Sequence, residues 1–265
     1  MVGAVGPSIL RDAGNFSAMD PNERRVALVT GAARRVGRVI AKTLHGAGYD
    51  VAIHCRGSRA EAEQLACELE NRRAGSTLVL QAELADPSAP EALVRQTVQR
   101  FRRLDALVNN ASSFYPTPVG ETTPTQWDEL FAANARAPYF LAQAAAPHLR
   151  RARGAIVNLV DIYAEQPLAK HPVYSMAKAA LAMATRALAK ELGPEVRVNG
   201  VAPGAVLWPE TGKSVDEQQA IVARSALKRA GAPEDVAGAV LFLLRDATFV
   251  TGEILRVDGG RLLVS

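Results

Sequence analysis

Val26-Ala27-Leu28-Val29-Thr30-Gly31-Ala32-Ala33-Arg34-Arg35-Val36-Gly37 joins four consecutive apolar residues to a turn with two glycines and then to the start of a helical stretch. An apolar run of strand length with no polar alternation marks a strand covered on both faces. Similar runs follow at Val51–Ile53, Leu78–Leu80, Ala106–Val108, Ile156–Val160 and Val196–Val201, and a last strand is expected at Ile254–Val257. Between them lie amphipathic stretches of helical length: Arg59–Arg73, Ala89–Arg102, Thr125–Arg151, Val173–Leu192 and Pro233–Leu244. Strand alternating with helix predicts an α/β fold, a doubly wound parallel sheet of about seven strands with helices on both faces.

At 265 residues, 48% hydrophobic and 22% charged, the chain has the makeup of a water-soluble globular protein with one sizeable core. Residues 1–22 mix Gly, Ser, Asn, Asp and Pro without periodicity, which predicts a flexible arm ahead of one domain over residues 23–265. No apolar run reaches the roughly 18 residues of a membrane span, and a cytoplasmic location is expected. Cys55 and Cys67 form no C-x-x-C pair and no His/Cys cluster has ligand spacing, so neither disulfide nor metal is expected. The net charge of +4 comes from arginines dispersed among carboxylates, which argues against nucleic acid as a partner. The four histidines, His45, His54, His148 and His171, do not group with a Ser or Cys as a nucleophilic triad would.

The turn Gly31–Gly37, carrying Arg34, Arg35 and Val36, lies where backbone N–H groups and a helix N-terminus receive a dinucleotide diphosphate. With two glycines where three are usual, the turn alone fits an ordinary strand-to-helix connection equally well. The next strand ends in His54-Cys55-Arg56-Gly57-Ser58, with no carboxylate to hold a ribose 2′-hydroxyl. Arg56 and Ser58, with Arg35 as a third group, suit a 2′-phosphate, so the expected cofactor is NADPH. Glu83 and Leu84 follow the third strand, where they line an adenine. Asn110, Ala111, Ser112 and Phe114 follow the fourth, at the end where open sheets bind ligands. Asn110 is expected to bracket the cofactor with its amide, and Ser112 and Phe114 to face whatever stacks on the nicotinamide. Tyr174 and Lys178 stand four positions apart, one helical turn, so phenol and ammonium share a face. A phenol that gives up a proton, beside an ammonium that favours the phenolate, is the pairing a general acid needs next to a hydride donor. Asp161, at the end of the preceding strand, is expected to hydrogen-bond the phenol, with burial raising its pKa. The alternative for Asp161 is an exposed, ionised loop residue.

The Thr30-Gly31 turn, Asn109-Asn110-Ala111, Asn134, Tyr174-Ser175-Met176-Ala177-Lys178 and Pro203-Gly204 together resemble the short-chain dehydrogenase/reductase family over residues 24–263. Three departures from its usual pattern resemble the pteridine reductases, including the bacterial dihydromonapterin or dihydrofolate reductases: Arg35 in place of glycine, Asp161 in place of serine, and Ala111-Ser112-Ser113-Phe114-Tyr115-Pro116 after Asn110. The resemblance implies a Rossmann-type fold and NADPH-dependent reduction of a dihydropterin or folate, its ring between Phe114 and the nicotinamide. It implies a polar edge contacted by Arg35, Ser112, Asp161 and Tyr174, and ribose hydroxyls on Lys178. It further implies that Asn134 holds a water and the helix geometry, and that Pro203 and Gly204 sit against the cofactor. Residues 205–225 would form a substrate lid in which Trp208 either covers the ligand or anchors the lid, and the chain would assemble as a homotetramer. A general carbonyl or 3-oxoacyl reductase is the alternative within the family, and a non-catalytic NADP-binding regulator the alternative outside enzymes.

Overall fold

The seven apolar runs become strands because each finds cover. In the computed structural model, which describes residues 24–206 and 215–264, they are β1 (Val26–Val29), β2 (Asp50–Cys55), β3 (Thr77–Gln81), β4 (Ala106–Asn109), β5 (Ala155–Leu159), β6 (Arg197–Pro203) and β7 (Ile254–Val257). They pair in parallel throughout, in the order β3-β2-β1-β4-β5-β6-β7, which is the doubly wound sheet expected from the alternation. The helices are α1 (Arg35–Gly46), α2 (Arg59–Glu70), α3 (Ala89–Phe101), α4 (Pro124–Phe131), α5 (Ala137–Ala152), α6 (Pro172–Leu192), α7 (Val215–Ala223) and α8 (Pro233–Arg245). One face of the sheet is covered by α1, α2 and α8 through Ile40, Leu44, Leu65 and Val240. The other is covered by α3, α5 and α6 through Leu93, Leu141, Leu149 and Leu188.

Two expectations need correction. The strand β3, expected to be buried on both faces, is not: like β7 at the other edge it keeps partial exposure at most of its residues, because an edge strand has fewer neighbours to cover it. The stretch Thr125–Arg151 is not one regular helix either. A π-helical segment, Ala132–Arg136, separates α4 from α5 and carries the fully buried Asn134. Widened turns of this kind are frequent at functional sites, since the extra residue re-aims a side chain.

The strand order reverses between β1 and β4, and a crevice opens at their carboxyl ends. Thr30 ties the crevice's two sides together: its N–H donates to the Val108 carbonyl, and its hydroxyl oxygen accepts from the N–H groups of Asn110 and Ala111 at 2.9 and 3.0 Å. Gly31 turns at φ +62°. A Cβ at Gly37 would lie 2.2 Å from the Gly31 carbonyl oxygen, so only glycine lets α1 start this close to the turn.

Candidate active site

The crevice continues into a cleft of about 450 Å³ lined by the turn, the end of β2 and the loop after β4. Of the residues expected to bind a cofactor, Gly31, Arg34, Arg35, Val36, His54, Arg56, Ser58, Glu83, Leu84, Asn110, Ala111 and Ser112 all line it. Gly37, Cys55 and Ala133 line it as well. Pro203 and Gly204 stand apart from that lining, at the end of β6, where the Gly204 N–H donates to Val257 and a Cβ would lie 2.8 Å from the Asp258 Cα. The first turn of α1 carries no carboxylate, so nothing offsets the positive end of its dipole. These features fit a dinucleotide diphosphate. The arginines do not stand alone: Arg34 pairs with Glu61, and Arg56 lies 3.8 Å from Glu83, both pairs largely exposed. Nor does Asn110 turn its amide nitrogen outward, because it donates to the Thr30 and Gly31 carbonyls at 2.8 and 3.0 Å and so braces the turn.

Outside that lining, on the far side of Ser112, the Tyr174 hydroxyl donates to Asp161 Oδ2 at 2.8 Å, while Asp161 Oδ1 accepts the Tyr163 N–H at 3.0 Å. Asp161 keeps some solvent contact but protein encloses most of it. Burial therefore pushes its carboxyl above the ordinary carboxylate value, against the Tyr163 N–H, the phenol and the charges of Lys178 and Arg261. The Tyr174 phenol is 4% exposed and lies well above its ordinary value, first through burial and then through the charge of Asp161, with the Ser112 hydroxyl opposing. Lys178 is 2% exposed, and burial lowers its ammonium to about 8 in spite of Asp161. Its Nζ donates to the Leu159 carbonyl at 2.8 Å and lies 5.7 Å from the centre of the Tyr174 ring. The expectation that Lys178 favours a phenolate therefore needs correction for the free protein. Burial first, and then Asp161 hydrogen-bonded at 2.8 Å, keep the phenol protonated.

Asn134 reaches this cluster from the π segment. Its Nδ2 donates to the carbonyls of Leu130 and Ser113, both at 2.9 Å, and its Oδ1 accepts from the Ser112 hydroxyl at 2.7 Å. Asn134 thereby ties Ser112 and Ser113, in the loop after β4, to the π segment. Phe114 is half exposed, edge-on to Tyr174 at 4.8 Å and stacked on His171 at 4.6 Å with planes 10° apart. Sequence reasoning places His171 near enough to Tyr174 to line the site entrance, but its stacking on Phe114 escaped it. Its signal was the spacing of three residues, nearly one helical turn, ahead of Tyr174. Arg261 also went unremarked; it lies 5.8 Å from the centre of the Tyr163 ring, at the chain's last turn. Trp208 lies outside the described residues.

Seven parallel strands, a glycine turn at the strand-order reversal and a tyrosine–lysine pair one helical turn apart now stand together. Residues 31–261 match a family model described as enoyl-(acyl carrier protein) reductase. The chain belongs to the short-chain dehydrogenase/reductase family. Among relatives in this family, pteridine reductase 1 of Leishmania tarentolae is 38% identical, over 89% of this chain and 95% of its own. A 3-oxoacyl-(acyl-carrier-protein) reductase of Staphylococcus aureus is 34% identical over 88% of this chain and 96% of its own. Versicolorin reductase of Emericella nidulans is also 34% identical, over 89% and 95%. Family membership makes the chain an oxidoreductase with a nicotinamide cofactor and a small-molecule substrate. Among the described residues no helix is long and apolar enough to cross a membrane, and no cluster of side chains could hold a metal ion.

Proposed function

We propose that this protein reduces a dihydropterin or folate to its tetrahydro form with NADPH. The observation that carries the reading is the 2.8 Å hydrogen bond from Tyr174 to Asp161, a carboxyl group raised by burial at the end of a central strand. A ketone reductase needs only a phenol and a neutral hydroxyl there. Protonating a nitrogen of an aromatic heterocycle is served by a carboxyl group that holds a proton and can also receive N–H bonds from the ring. Phe114 offers a half-exposed aromatic face, and stacking on it is worth about 0.5–1.5 kcal/mol beyond buried area. When bound, the reduced nicotinamide supplies a hydride to the carbon of the ring C=N bond. Tyr174 Oη delivers the balancing proton to the nitrogen, and Asp161 replaces it. Lys178 Nζ, with one protein acceptor given, holds the ribose hydroxyls, and Asn134 fixes Ser112 at the edge of the site. Arg35 and Ser112 contact the polar edge of the substrate, while Arg56 and Ser58, with Arg34, receive the 2′-phosphate, the two arginines in exchange for their carboxylate partners. The proposed lid, residues 205–225, lies partly outside the described residues, with α7 (Val215–Ala223) within them, and the enzyme works in the cytoplasm as a homotetramer.

A second reading, reduction of 3-oxoacyl thioesters, draws on the staphylococcal relative and on Asn134, Tyr174 and Lys178, which a ketone reduction would use equally. The two separate in one assay: oxidation of NADPH and of NADH by purified protein with dihydrobiopterin, dihydromonapterin, dihydrofolate or acetoacetyl thioester. The expected result is turnover with the dihydropterins or dihydrofolate and preference for NADPH. Turnover of the thioester alone would overturn the pterin reading, and no turnover of any would point to an NADP-binding regulator.

A further inference from the structure

His54 is 1% exposed inside the wall of the cleft, and both ring nitrogens face backbone groups of neighbouring segments. Nδ1 lies 3.2 Å from the N–H of Gly31, a group that only donates. Nε2 lies 3.2 Å from the carbonyl of Ala82, just past β3, a group that only accepts. One protonation state satisfies both contacts: a neutral imidazole with its hydrogen on Nε2. The His54 carbonyl also takes the Ala32 N–H at 2.8 Å, so both N–H groups at the start of the turn are spent on one residue. From the opposite side the Asn110 amide holds the carbonyls of Thr30 and Gly31. Burial favours the neutral ring, with Ala82 and the charge of Glu83 opposing.

We propose that His54 is a positioning residue of the dinucleotide site: its neutral ring ties the glycine turn to the end of β3 and withdraws the Gly31 N–H from the cofactor. The inference rests on the dinucleotide reading of the cleft. Its consequence is a division of labour. The turn is a prefixed wall, and the diphosphate is bound by the first turn of α1, from Val36 and Gly37 onward, together with the arginine side chains. A ring carrying hydrogens on both nitrogens would set N–H against N–H at Gly31 and release the turn.

Two measurements test this. Long-range proton–nitrogen correlation spectra of histidine-labelled protein at neutral pH, assigned to His54 by the signals missing in a His54→Asn variant, should show the neutral Nε2–H form. An Nδ1–H or doubly protonated ring would overturn the proposal. Binding of NADP⁺ supplies the second readout. In His54→Asn the side-chain oxygen replaces Nδ1 as acceptor for Gly31, and affinity should stay within about threefold of the parent. In His54→Gln the amide reaches the Nε2 position instead, and affinity should fall about tenfold or more. Equal affinities for the two variants at similar melting temperatures would overturn the clamp. Should His54→Gln fail to fold, the ring's protonation state decides alone. If the unaltered protein does not bind NADP⁺, the dinucleotide reading fails, and the spectra still decide whether the ring holds the turn.

Discussion

Asp161 shows how one residue bears on substrate choice and stability together. The buried carboxyl is a stored liability: its folded-state pKa is raised, so folding favours the protonated acid. Between the ordinary carboxylate value and that raised value the unfolded chain has lost the proton and the folded one has kept it. Stability therefore falls as pH rises through this window and stays lower above it. Replacing Asp161 with the uncharged Asn removes the liability while keeping both contacts: its oxygen accepts the Tyr163 N–H, and its amide nitrogen donates to the Tyr174 hydroxyl oxygen, which can accept as well as donate. Asp161→Asn should melt at a higher temperature than the parent at pH 7, with the gap closing as pH falls toward 4. Its dihydropterin turnover should drop by about 10²-fold or more, the scale of a lost general acid. A variant that melts lower at pH 7, or turns over unchanged, would show that the carboxyl neither stores strain nor supplies a proton. The same residue marks where reading the chain sufficed: an aspartate at a buried strand's end is legible as unusual. That it outweighs Lys178 in setting the phenol is not legible, because it depends on ångström distances between side chains 13 positions apart.

At the level of the element, the β1–α1 turn and the break between α4 and α5 set the site's shape. Arg35 adopts φ +52°, the left-handed region that favours glycine, and holding a side chain there costs roughly 1–3 kcal/mol. An arginine at such a position implies that its side chain returns more than the backbone loses. Arg35→Gly should therefore hold or raise the melting temperature while weakening dihydropterin KM about tenfold or more. A lower melting temperature with unchanged KM would make Arg35 a structural residue. Strand and helix order was readable because buried parallel strands leave unbroken apolar runs. The π segment was not, since Ala132-Ala133-Asn134-Ala135-Arg136 has good helical composition and the extra residue is selected by what Asn134 reaches: two carbonyls and the Ser112 hydroxyl. Likewise the cleft-lining residues were visible from their places after strands, whereas the bracing roles of His54 and Asn110 needed the separation of β1, β2 and β4 in space.

For the whole molecule, what matters is the outer surface of α6. Its inward face is buried through Leu181, Thr185 and Leu188, yet its outward stripe is also apolar, through Met176, Ala179, Met183 and Ala187. Met183 is 62% exposed and Met176 42%, and Tyr139 and Phe140 on neighbouring α5 are 43% and 44% exposed. Exposed apolar residues on neighbouring helices favour cover, although the exposed Arg186 and Lys190 break the outward side of α6 toward its end, and small residues between the methionines let a second helix approach closely. A second copy of the same face is the cover that two-fold symmetry provides, and a further two-fold would make the tetramer we propose. Light scattering on the eluting protein should return four times the 28.2 kDa chain mass. Met183→Glu places a charge on the stripe. On an isolated chain this exposed change alters stability by about 0.5 kcal/mol at most. In an assembled one it strands a charge between helices, so the variant should elute at lower mass and melt lower, with a melting point that depends less on protein concentration than the parent's. A monomeric parent, or a Met183→Glu variant of unchanged mass, would leave the α6 stripe without the role in assembly argued for it.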